Sequence, residues 1–401
     1  MQVVGWESGY KLKKKIGTFF FQISKIFMPT LSEKYQNFDI RMLLNNEVSP
    51  KFPWKKYVNK INPYFKKWGF KVSDLDAQYY SAVSGIKVDY YVTRSMAVHY
   101  IYPYLDRYDF VPAYMDKNVQ KALLRLPDDG LNITAAEDVL INSNGVFYGA
   151  DGNEMAKEDA SSYMAALKID MILKPSVETY GGHGVIKIHA GTDSAGFSEL
   201  FSKYRSDFVF QKIVEQHPVM AQFNASSVNT VRVVTYRKPD RARKVLYACI
   251  RFGGVGSVMD NVCSGGGFSG IDIETGRLKD RKIYSYFKTE FPKMPESMPD
   301  QIPFWNKIVN AALALHGRLP QLDIIGWDFA ISPSGEPVLI EFNPRPGVGL
   351  QVAVGPMFSK EDLDELMAHV SKVSTQYAPL GVIKFNDKPG RFTIHYKFGG
   401  N

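Results

Sequence analysis

The 401-residue chain contains 45% hydrophobic and 22% charged residues, a balance typical of a globular protein with room for one large domain or two to three smaller ones. No apolar run approaches the ~20 residues of a membrane-spanning helix, and the amino terminus lacks the features of a secretory signal. The two cysteines, Cys249 and Cys263, exclude a disulfide framework or a cysteine metal cluster and are expected in a reducing cytoplasm.

The net charge of +8 is concentrated at one end of the chain. Residues 1–71 carry 14 Lys and Arg against 4 Asp and Glu, a balance of +10 that leaves −2 for the remainder. This distribution favours a local anionic partner, such as a membrane surface, and no nucleic-acid partner is expected. Within this segment, residues 11–27 join a basic cluster to apolar residues, which predicts either an interfacial helix or a helix packed on its own domain.

Residues 116–126 predict an amphipathic helix. Asp116 is a candidate N-cap, and apolar residues recur behind it at helical spacing. Lys117 and Lys121 share one face of the first turns, where the helix dipole disfavours a cation. Either a functional lysine or an exposed one accounts for that placement.

Residues 171–188 predict a strand, a glycine-rich loop and a second strand, with Lys174 near the end of the first strand. Consecutive N–H groups of such a loop can converge on an anion, and the lysine adds a positive charge. No helix that opens with Lys-Ser or Lys-Thr follows, which excludes a Walker A loop. The segment is either a phosphate-binding loop or a long hairpin.

Two arginines lie within apolar strands further along the chain. Arg232 is flanked by valines, and Arg251 ends the next predicted strand. An arginine in this setting must pair with a carboxylate or bind another anion, and the sequence leaves both open. Residues 265–270 match a dinucleotide fingerprint formally, but no strand precedes and no helix follows them, so a loop near a ligand is predicted instead.

Helical periodicity is clear in residues 303–319, where apolar side chains recur along one face. His316, near the end of this predicted helix, is expected to cap it or to lie at the surface rather than to bind a ligand. A second helix is predicted over residues 360–372, and a closing pair of strands follows it.

Residues 326–347 predict two short strands joined by a Ser-Pro-Ser-Gly turn. A turn centred on residues 334–335 places Asp328 opposite Glu341, and Asn343 continues the same face. Two facing carboxylates in a half-buried hairpin repel each other, and a divalent cation resolves the conflict. Two carboxylates and an amide suit Mg²⁺ or Mn²⁺, whereas a surface hairpin with incidental acids is the alternative.

The order of these features resembles the sugar-transfer-associated branch of the ATP-grasp superfamily. The resemblance covers about residues 116–358 and rests on EQHP, SVNTVRVVT and IEFNPRPG as well as on the spacing of the motifs. It implies an α+β, ATP-grasp fold in which two α+β subdomains clasp ATP. We expect a helical, basic region over residues 1–110, a lid and nucleotide subdomain over 111–214, and a core subdomain with the magnesium site and C-terminal strands over 215–401.

The resemblance also implies roles for individual residues. It assigns Asp328, Glu341 and Asn343 to magnesium, with two ions expected. The residues expected to contact the nucleotide are Lys117, Lys174, Gly181, Gly182, His183, Gly184, Gln211, Lys212, Val214, Glu215, Gly265 and Gly266. Those expected at the transferred groups are Arg232, Asn261, Arg345 and Arg251. Gln211 stands where the family's linker usually has an acidic residue.

The implied activity is an ATP- and Mg²⁺-dependent carboxylate–amine ligase that acts through an acyl phosphate. Its substrates would be small-molecule or glycan carboxylates and amines, with an amino acid joined to a sugar or sugar acid in surface-polysaccharide or glycoconjugate assembly. The alternatives are a small-molecule or sugar kinase and a non-catalytic scaffold that binds an anionic membrane or glycan. The expected location is the cytoplasm or the inner face of the membrane, and the oligomeric state is left open.

Overall fold

The computed structural model describes residues 60–70, 72–106, 110–124, 126, 132–177, 184–254, 256, 266–286, 288, 290–376, 383–385 and 392–394. The helix predicted over residues 11–27, either interfacial or packed on its own domain, lies outside the described residues. Five of the predicted site residues also lie outside them: Gly181, Gly182, His183, Asn261 and Gly265.

The first described region is helical. Its helices are α1 (Asn62–Lys66), α2 (Leu75–Ser84), α3 (Arg94–Met96), α4 (Tyr102–Leu105) and α5 (Val111–Met115). A π turn, Ala97–Ile101, joins α3 to α4 and leads directly into Pro103. Because proline has no N–H to donate, a main-chain hydrogen bond is lost there, and the helix widens. Among the described helices, none is both long and apolar enough to cross a bilayer.

A helix and an antiparallel sheet follow. The elements are α6 (Lys117–Leu124), β1 (Thr134–Ala135), β2 (Asp138–Ser143), β3 (Val146–Gly149), β4 (Glu154–Met155), α7 (Lys157–Leu167), β5 (Met171–Pro175), β6 (Ile186–Ile188), α8 (Ser194–Tyr204) and β7 (Phe208–Lys212). Strands β2 to β7 form the first sheet, in the order β4-β3-β2-β7-β5-β6. One face of it packs on α7 and α8 through aromatic rings; the Phe147 and Phe201 centroids lie 4.8 Å apart.

The remaining elements build a second sheet around the carboxyl half. They are α9 (Pro218–Ala221), β8 (Thr230–Arg237), β9 (Arg243–Phe252), β10 (Gly267–Ile271), α10 (Trp305–Gly317), β11 (Ile324–Ile331), β12 (Pro337–Asn343), α11 (Gln351–Val354), α12 (Lys360–Gln376), β13 (Ile383–Phe385) and β14 (Phe392–Ile394). The second sheet has the order β1-β12-β11-β8-β9-β10, whereas β13 and β14 pair only with each other. The closing strand pair and both late helices are where the sequence predicts them.

Both faces of the second sheet are covered. Alternate residues such as Val233 and Phe329 face α10, whereas Val234 and Tyr247 face α12 and the helices of residues 62–105. Complete burial of each such side chain contributes about 1.5–3 kcal/mol. The amino-terminal helices therefore belong to the same core as the sheet, and their aromatic residues are explained by packing.

The β11–β12 hairpin confirms the predicted pairing of Asp328 with Glu341. Near the turn, however, Ile331 pairs with Pro337, one residue away from the predicted register. A bulge at Ile340 absorbs the difference, because the extra residue shifts the register of the strand beyond it. The predicted register is therefore wrong beside the turn and right at the two carboxylates.

His316 is fully buried, which contradicts the expectation of a cap or surface residue. Its Nε2 lies 3.1 Å from the carbonyl oxygen of Leu322 and must donate, so Nδ1 accepts from the Thr235 hydroxyl at 2.8 Å. That hydroxyl in turn accepts from the indole N–H of Trp327 at 2.8 Å. Burial, with a further contribution from Arg237, lowers the pKa of His316 to about 3.

We expect the protein to lose stability through His316 as the pH falls below 6.5, the ordinary pKa of the group. Because the pKa of His316 is lower in the folded protein, the unfolded chain binds the proton first. The free energy of unfolding therefore falls by about 1.4 kcal/mol per pH unit towards pH 3. Urea unfolding of the wild type and His316→Gln should show a stability difference that shrinks between about pH 6.5 and 4.5. Buried acids titrate in both proteins and cancel, so a constant difference would contradict the assignment.

Candidate functional site

Helix α6 lies between the two sheets and contacts both. Asp116 accepts a hydrogen bond from the Asn118 N–H at 2.9 Å, which confirms the predicted N-cap. The Asn118 amide donates to the carbonyl of Asn142 in the first sheet at 3.0 Å. Gln120 hydrogen-bonds to the backbone of Phe342 in the second sheet. The helix therefore bridges the cleft between the sheets.

Three lysines line this cleft. Lys117 Nζ lies 3.8 Å from Glu341 Oε2, and Lys121 Nζ lies 2.5 Å from Asp138 Oδ1. Lys174 is 7% exposed. Its pKa is lowered to about 8, chiefly by burial; the carboxylates of Glu341 and Asp138 oppose this shift, and the ammonium groups of Lys117 and Lys121 add to it. Such a concentration of ammonium groups favours a bound polyanion.

The buried carboxylate of Asp328 binds both strand arginines. Arg232 contacts it with two guanidinium nitrogens, Nε on Oδ1 and Nη2 on Oδ2, the latter at 2.6 Å. Arg251 Nη1 lies 3.0 Å from Oδ2. Burial alone would raise the pKa of Asp328, but the two arginines outweigh it and hold the pKa below its usual value. The sequence leaves open whether each arginine pairs with a carboxylate or binds another anion. The structure shows a carboxylate ion pair for both arginines.

The oxygen donors on this face fit a hard divalent cation. A carboxylate has about four acceptor positions. Arg232 occupies one acceptor position on each oxygen of Asp328, and Arg251 occupies a second position on Oδ2. One acceptor position is left on Oδ1. Glu341 is 28% exposed, and the Asn343 amide nitrogen Nδ2 donates to Asp328 Oδ2 at 3.5 Å, so the Asn343 amide oxygen is not used in this contact. Two carboxylates and an amide are a donor set for Mg²⁺.

No three His, Cys, Asp or Glu side chains converge as metal ligands in the described parts of the chain. A metal site there would have to complete its two carboxylates with another oxygen ligand, such as a side-chain amide, a backbone carbonyl, a water or a phosphate. The predicted set of Asp328, Glu341 and Asn343 meets this requirement, and its assignment to magnesium stays a prediction.

The end of β7 places Gln211 in the cleft. Its side chain is buried, and its Nε2 donates to Asp138 Oδ1 at 2.7 Å. The neighbouring strand therefore places the Asp138 carboxylate directly beside the Gln211 amide. Lys212 is instead exposed and pairs with Glu137 at 2.6 Å, and its N–H donates to the carbonyl of that residue. Residue 212 thus belongs to the rim of the cleft.

The other described members of the predicted nucleotide set lie in loops. Gly184 has φ +77°, and its carbonyl accepts a hydrogen bond from the Tyr204 hydroxyl at 2.6 Å. Gly266 directly precedes β10, and Val214 and Glu215 lie in the linker that follows β7. Their nucleotide contacts stay predictions.

Arg345 lies beside the amino-terminal helices. Its Nε and Nη2 atoms are buried. Burial of the nearby Asp106 raises the pKa of that carboxyl group, and the positive charge of Arg345 opposes the shift. The Tyr102 hydroxyl donates to the carbonyl of Pro346 at 2.5 Å. Helix α4 therefore supports the segment that carries Arg345.

Three residues at the site are not among those to which the sequence assigns a role: Gln120, Lys121 and Asp138. For Lys121, the sequence pattern shows only that it shares a helix face with Lys117. The sequence signal for Gln120 is its position three residues after Lys117. This spacing puts an uncharged polar side chain on the same helix face as the lysine.

A profile of the sugar-transfer associated ATP-grasp family matches residues 95–366. The chain belongs to this family. Its two sheets, with a cleft bridged by α6, form the ATP-grasp fold that the sequence predicted. A search of curated proteins finds no match to the chain.

Solved ATP-grasp structures resemble this family member at low sequence identity. The ADP complex of carboxyaminoimidazole ribonucleotide synthetase is 13% identical over 59% of this chain and 46% of its own, with a TM-score of 0.37. The ATP-grasp ligase PsnB, complexed with minimal precursor, Mg and ADP, is 16% identical over 64% of this chain and 59% of its own, with a TM-score of 0.35. The D-alanine-D-alanine ligase from Coxiella burnetii is 11% identical over 66% and 59%, with a TM-score of 0.38. The match therefore spans less than two thirds of the length of each.

We expect the two carboxylates of the site to differ sharply in their effect on stability. Asp328→Asn removes the charge that two shielded arginines require and should cost about 3–5 kcal/mol of unfolding free energy. Glu341→Gln removes a partly exposed group whose ion pair with Lys117 is long, at 3.8 Å, and should cost about 1 kcal/mol or less. Urea titrations of both variants measure this contrast. Equal losses would show that the arginines do not depend on Asp328.

Proposed function

We propose that the chain is an ATP- and Mg²⁺-dependent ligase that joins a carboxylate to an amine. The observation that carries the proposal is the meeting of two complementary sets of side chains. Lys117 and Lys174 present positive charge from α6 and the first sheet, and the oxygen donors around Asp328 face them from the second sheet. A polyphosphate chelated to a divalent cation needs both sets at once. Membership of the ATP-grasp family supports ATP as that ligand.

The residues of the cleft divide between charge neutralisation and positioning. Lys117 and Lys174 would contact the phosphate oxygens, and Asp328, Glu341 and Asn343 would hold Mg²⁺. When bound, the ion neutralises charge on the phosphates and so makes phosphoryl transfer easier. The hydrogen bond to Asp138 fixes the orientation of the Gln211 amide. The amide oxygen would then point away from the carboxylate and be available to accept a hydrogen bond from the nucleotide base.

The proposed reaction has two steps. An oxygen of the acid substrate attacks the γ-phosphorus of ATP, the bond to the β-phosphate oxygen breaks, and ADP leaves with the electron pair. The amine then attacks the acyl carbon, the bond from that carbon to the phosphate oxygen breaks, and the amine loses a proton as phosphate leaves. Arg232 and Arg251 would supply positive charge beside the transferred group. Coupling to ATP is required because amide formation from a free carboxylate is unfavourable in water.

The proposed substrates are an amino acid and a sugar or sugar acid, in surface-polysaccharide or glycoconjugate assembly. The family's association with sugar transfer supports this choice. The excess of basic residues in residues 1–71 supports the proposal that the enzyme acts near an anionic membrane surface, on the cytoplasmic side where ATP is available.

The deciding experiment is to incubate the purified protein with ATP, Mg²⁺, pooled amino acids and nucleotide sugars, and to follow ADP, phosphate and new masses. A ligase releases ADP and phosphate only when both co-substrates are present. A phosphorylated product without free phosphate would instead show a kinase. Glu341→Gln should abolish turnover and still fold, and no turnover or nucleotide binding by the wild type would contradict the proposal.

The lowered pKa of Lys174 leads to a second prediction, which concerns nucleotide binding. Its pKa in the free protein is about 8, and a neighbouring phosphate favours the charged form, so binding should raise that pKa. ADP binding at about pH 8.5 should therefore take up protons, and the affinity should fall as the pH rises through 8 to 9.5. Calorimetry in buffers of different ionisation enthalpy measures the uptake.

Lys174→Arg is the matched control, because arginine stays charged throughout this range. It should retain ADP binding and lose the proton uptake. Uptake of the same size in this variant would assign the proton to another group.

A further inference from the structure

Gln120 uses both N–H groups and the oxygen of its side-chain amide to bind the backbone. The side chain is 5% exposed. Its Nε2 donates to the carbonyl oxygens of Phe342 at 2.7 Å and Tyr114 at 2.9 Å, and its Oε1 accepts from the Phe342 N–H at 3.1 Å. The opposite orientation of the amide would set one N–H group against another, so the contacts themselves fix it.

These contacts replace a missing strand. The outer edge of β12 pairs with β1 only at Val338 and Leu339, and β1 ends there. Beyond the bulge, the N–H and carbonyl of Phe342 would lie on an open edge in the interior. Buried backbone groups without partners are costly. The Gln120 amide supplies a donor and an acceptor at that edge, as a neighbouring strand would.

The position of Phe342 gives this contact a functional consequence. The residue lies between Glu341 and Asn343, which face the cleft on either side of it. Gln120 itself lies on α6 between Lys117 and Lys121. One amide therefore connects the strand with the oxygen donors to the helix with the cationic groups.

We propose that Gln120 is a positioning residue that couples the two halves of the site. By holding β12 at a fixed distance from α6, it sets Glu341 and Asn343 in register with Lys117, so that a chelated phosphate meets both sets in one arrangement. This inference rests on the proposed binding of Mg²⁺ and nucleotide. It adds a residue that touches neither ligand and acts through the backbone of β12.

Helix α6 has independent attachments to the first sheet. The Lys117 N–H donates to the carbonyl of Ser176 at 3.0 Å, and Lys121 pairs with Asp138. Loss of the Gln120 amide should therefore leave the lysines in place and release mainly the β12 end. The expected defect is in metal-dependent binding rather than in the contact with phosphate alone.

The test measures ADP binding by calorimetry, first without metal and then across a Mg²⁺ titration, in the full-length protein. Gln120→Met keeps the size of the side chain and removes its hydrogen bonds. The loss of two bonds to β12 should raise the Mg²⁺ midpoint about tenfold, while metal-free ADP affinity changes less than about twofold. Hydrogen exchange of the Phe342 amide without ligands should also accelerate in this variant.

Gln351→Met is the matched control. Gln351 is fully buried and also binds backbone through both groups of its amide. It donates to the carbonyls of Val92 at 2.7 Å and Val348 at 3.0 Å, and it accepts from the N–H groups of Met357 at 3.0 Å and Val92 at 3.4 Å. This variant should lose stability and keep the wild-type Mg²⁺ midpoint. If Gln120→Met does not fold, Gln120→Asn replaces it under the same criterion, because the shorter amide cannot reach both backbone groups of Phe342 and adds no charge.

The outcomes separate the two ideas. An unchanged Mg²⁺ midpoint in the Gln120 variant, or an equal shift in Gln351→Met, overturns the coupling role and leaves the proposed ligase intact. No uptake of ADP by the wild type in the presence of Mg²⁺ overturns the proposed function, and the coupling role with it.

Discussion

The buried pairing of Asp328 with Arg232 and Arg251 determines what the rest of the cleft can bind. Three charged groups leave water together on one face of the second sheet, and each is tolerable only because the others are present. Two cations against one anion leave an excess of positive charge, which only a further anion can offset. Glu341 offsets that charge, but Lys117 and Lys174 add positive charge beside it. The ion pair is therefore a structural element, and under the proposed function the excess positive charge of the cleft would also attract the phosphates of the nucleotide.

Helix α6 transmits this arrangement across the cleft. It is short, with only eight residues, and its stability comes from its N-cap and from contacts with both sheets rather than from its own length. Lys117 and Gln120 lie one turn apart, so the charge of one and the backbone contact of the other are fixed together. A separate loop could carry a lysine, but it could not hold that lysine at a constant distance from β12. The helix therefore sets the width of the site.

The sequence predicts local pairings better than long-range ones. Asp328 and Glu341 are close along the chain and joined by one turn, so period-two alternation is enough to place them together, although the compensating bulge at Ile340 has no clear sequence signal. Asp138 and Gln211 come from strands far apart, and no single-sequence pattern announces that they are neighbours. His316 has a polar side chain at a helix end, which suggests a cap, yet its partner Thr235 on β8 makes a buried site acceptable. The missing information in each case is which distant strand lies alongside.

The same reasoning bears on the basic and aromatic residues near the amino terminus. In residues 60–70, Tyr64 and Phe65 are buried in the core shared with the second sheet, and Lys67 pairs with Asp364 on α12 at 2.9 Å. Aromatic residues that are already packed cannot also insert into a lipid surface. A membrane contact through residues 1–71 would therefore have to rely on the residues before this helix, and in the part after it the lysines would contribute only charge. Because exposed charges act over about a Debye length of 10 Å at moderate salt, such a contact would weaken as salt is added.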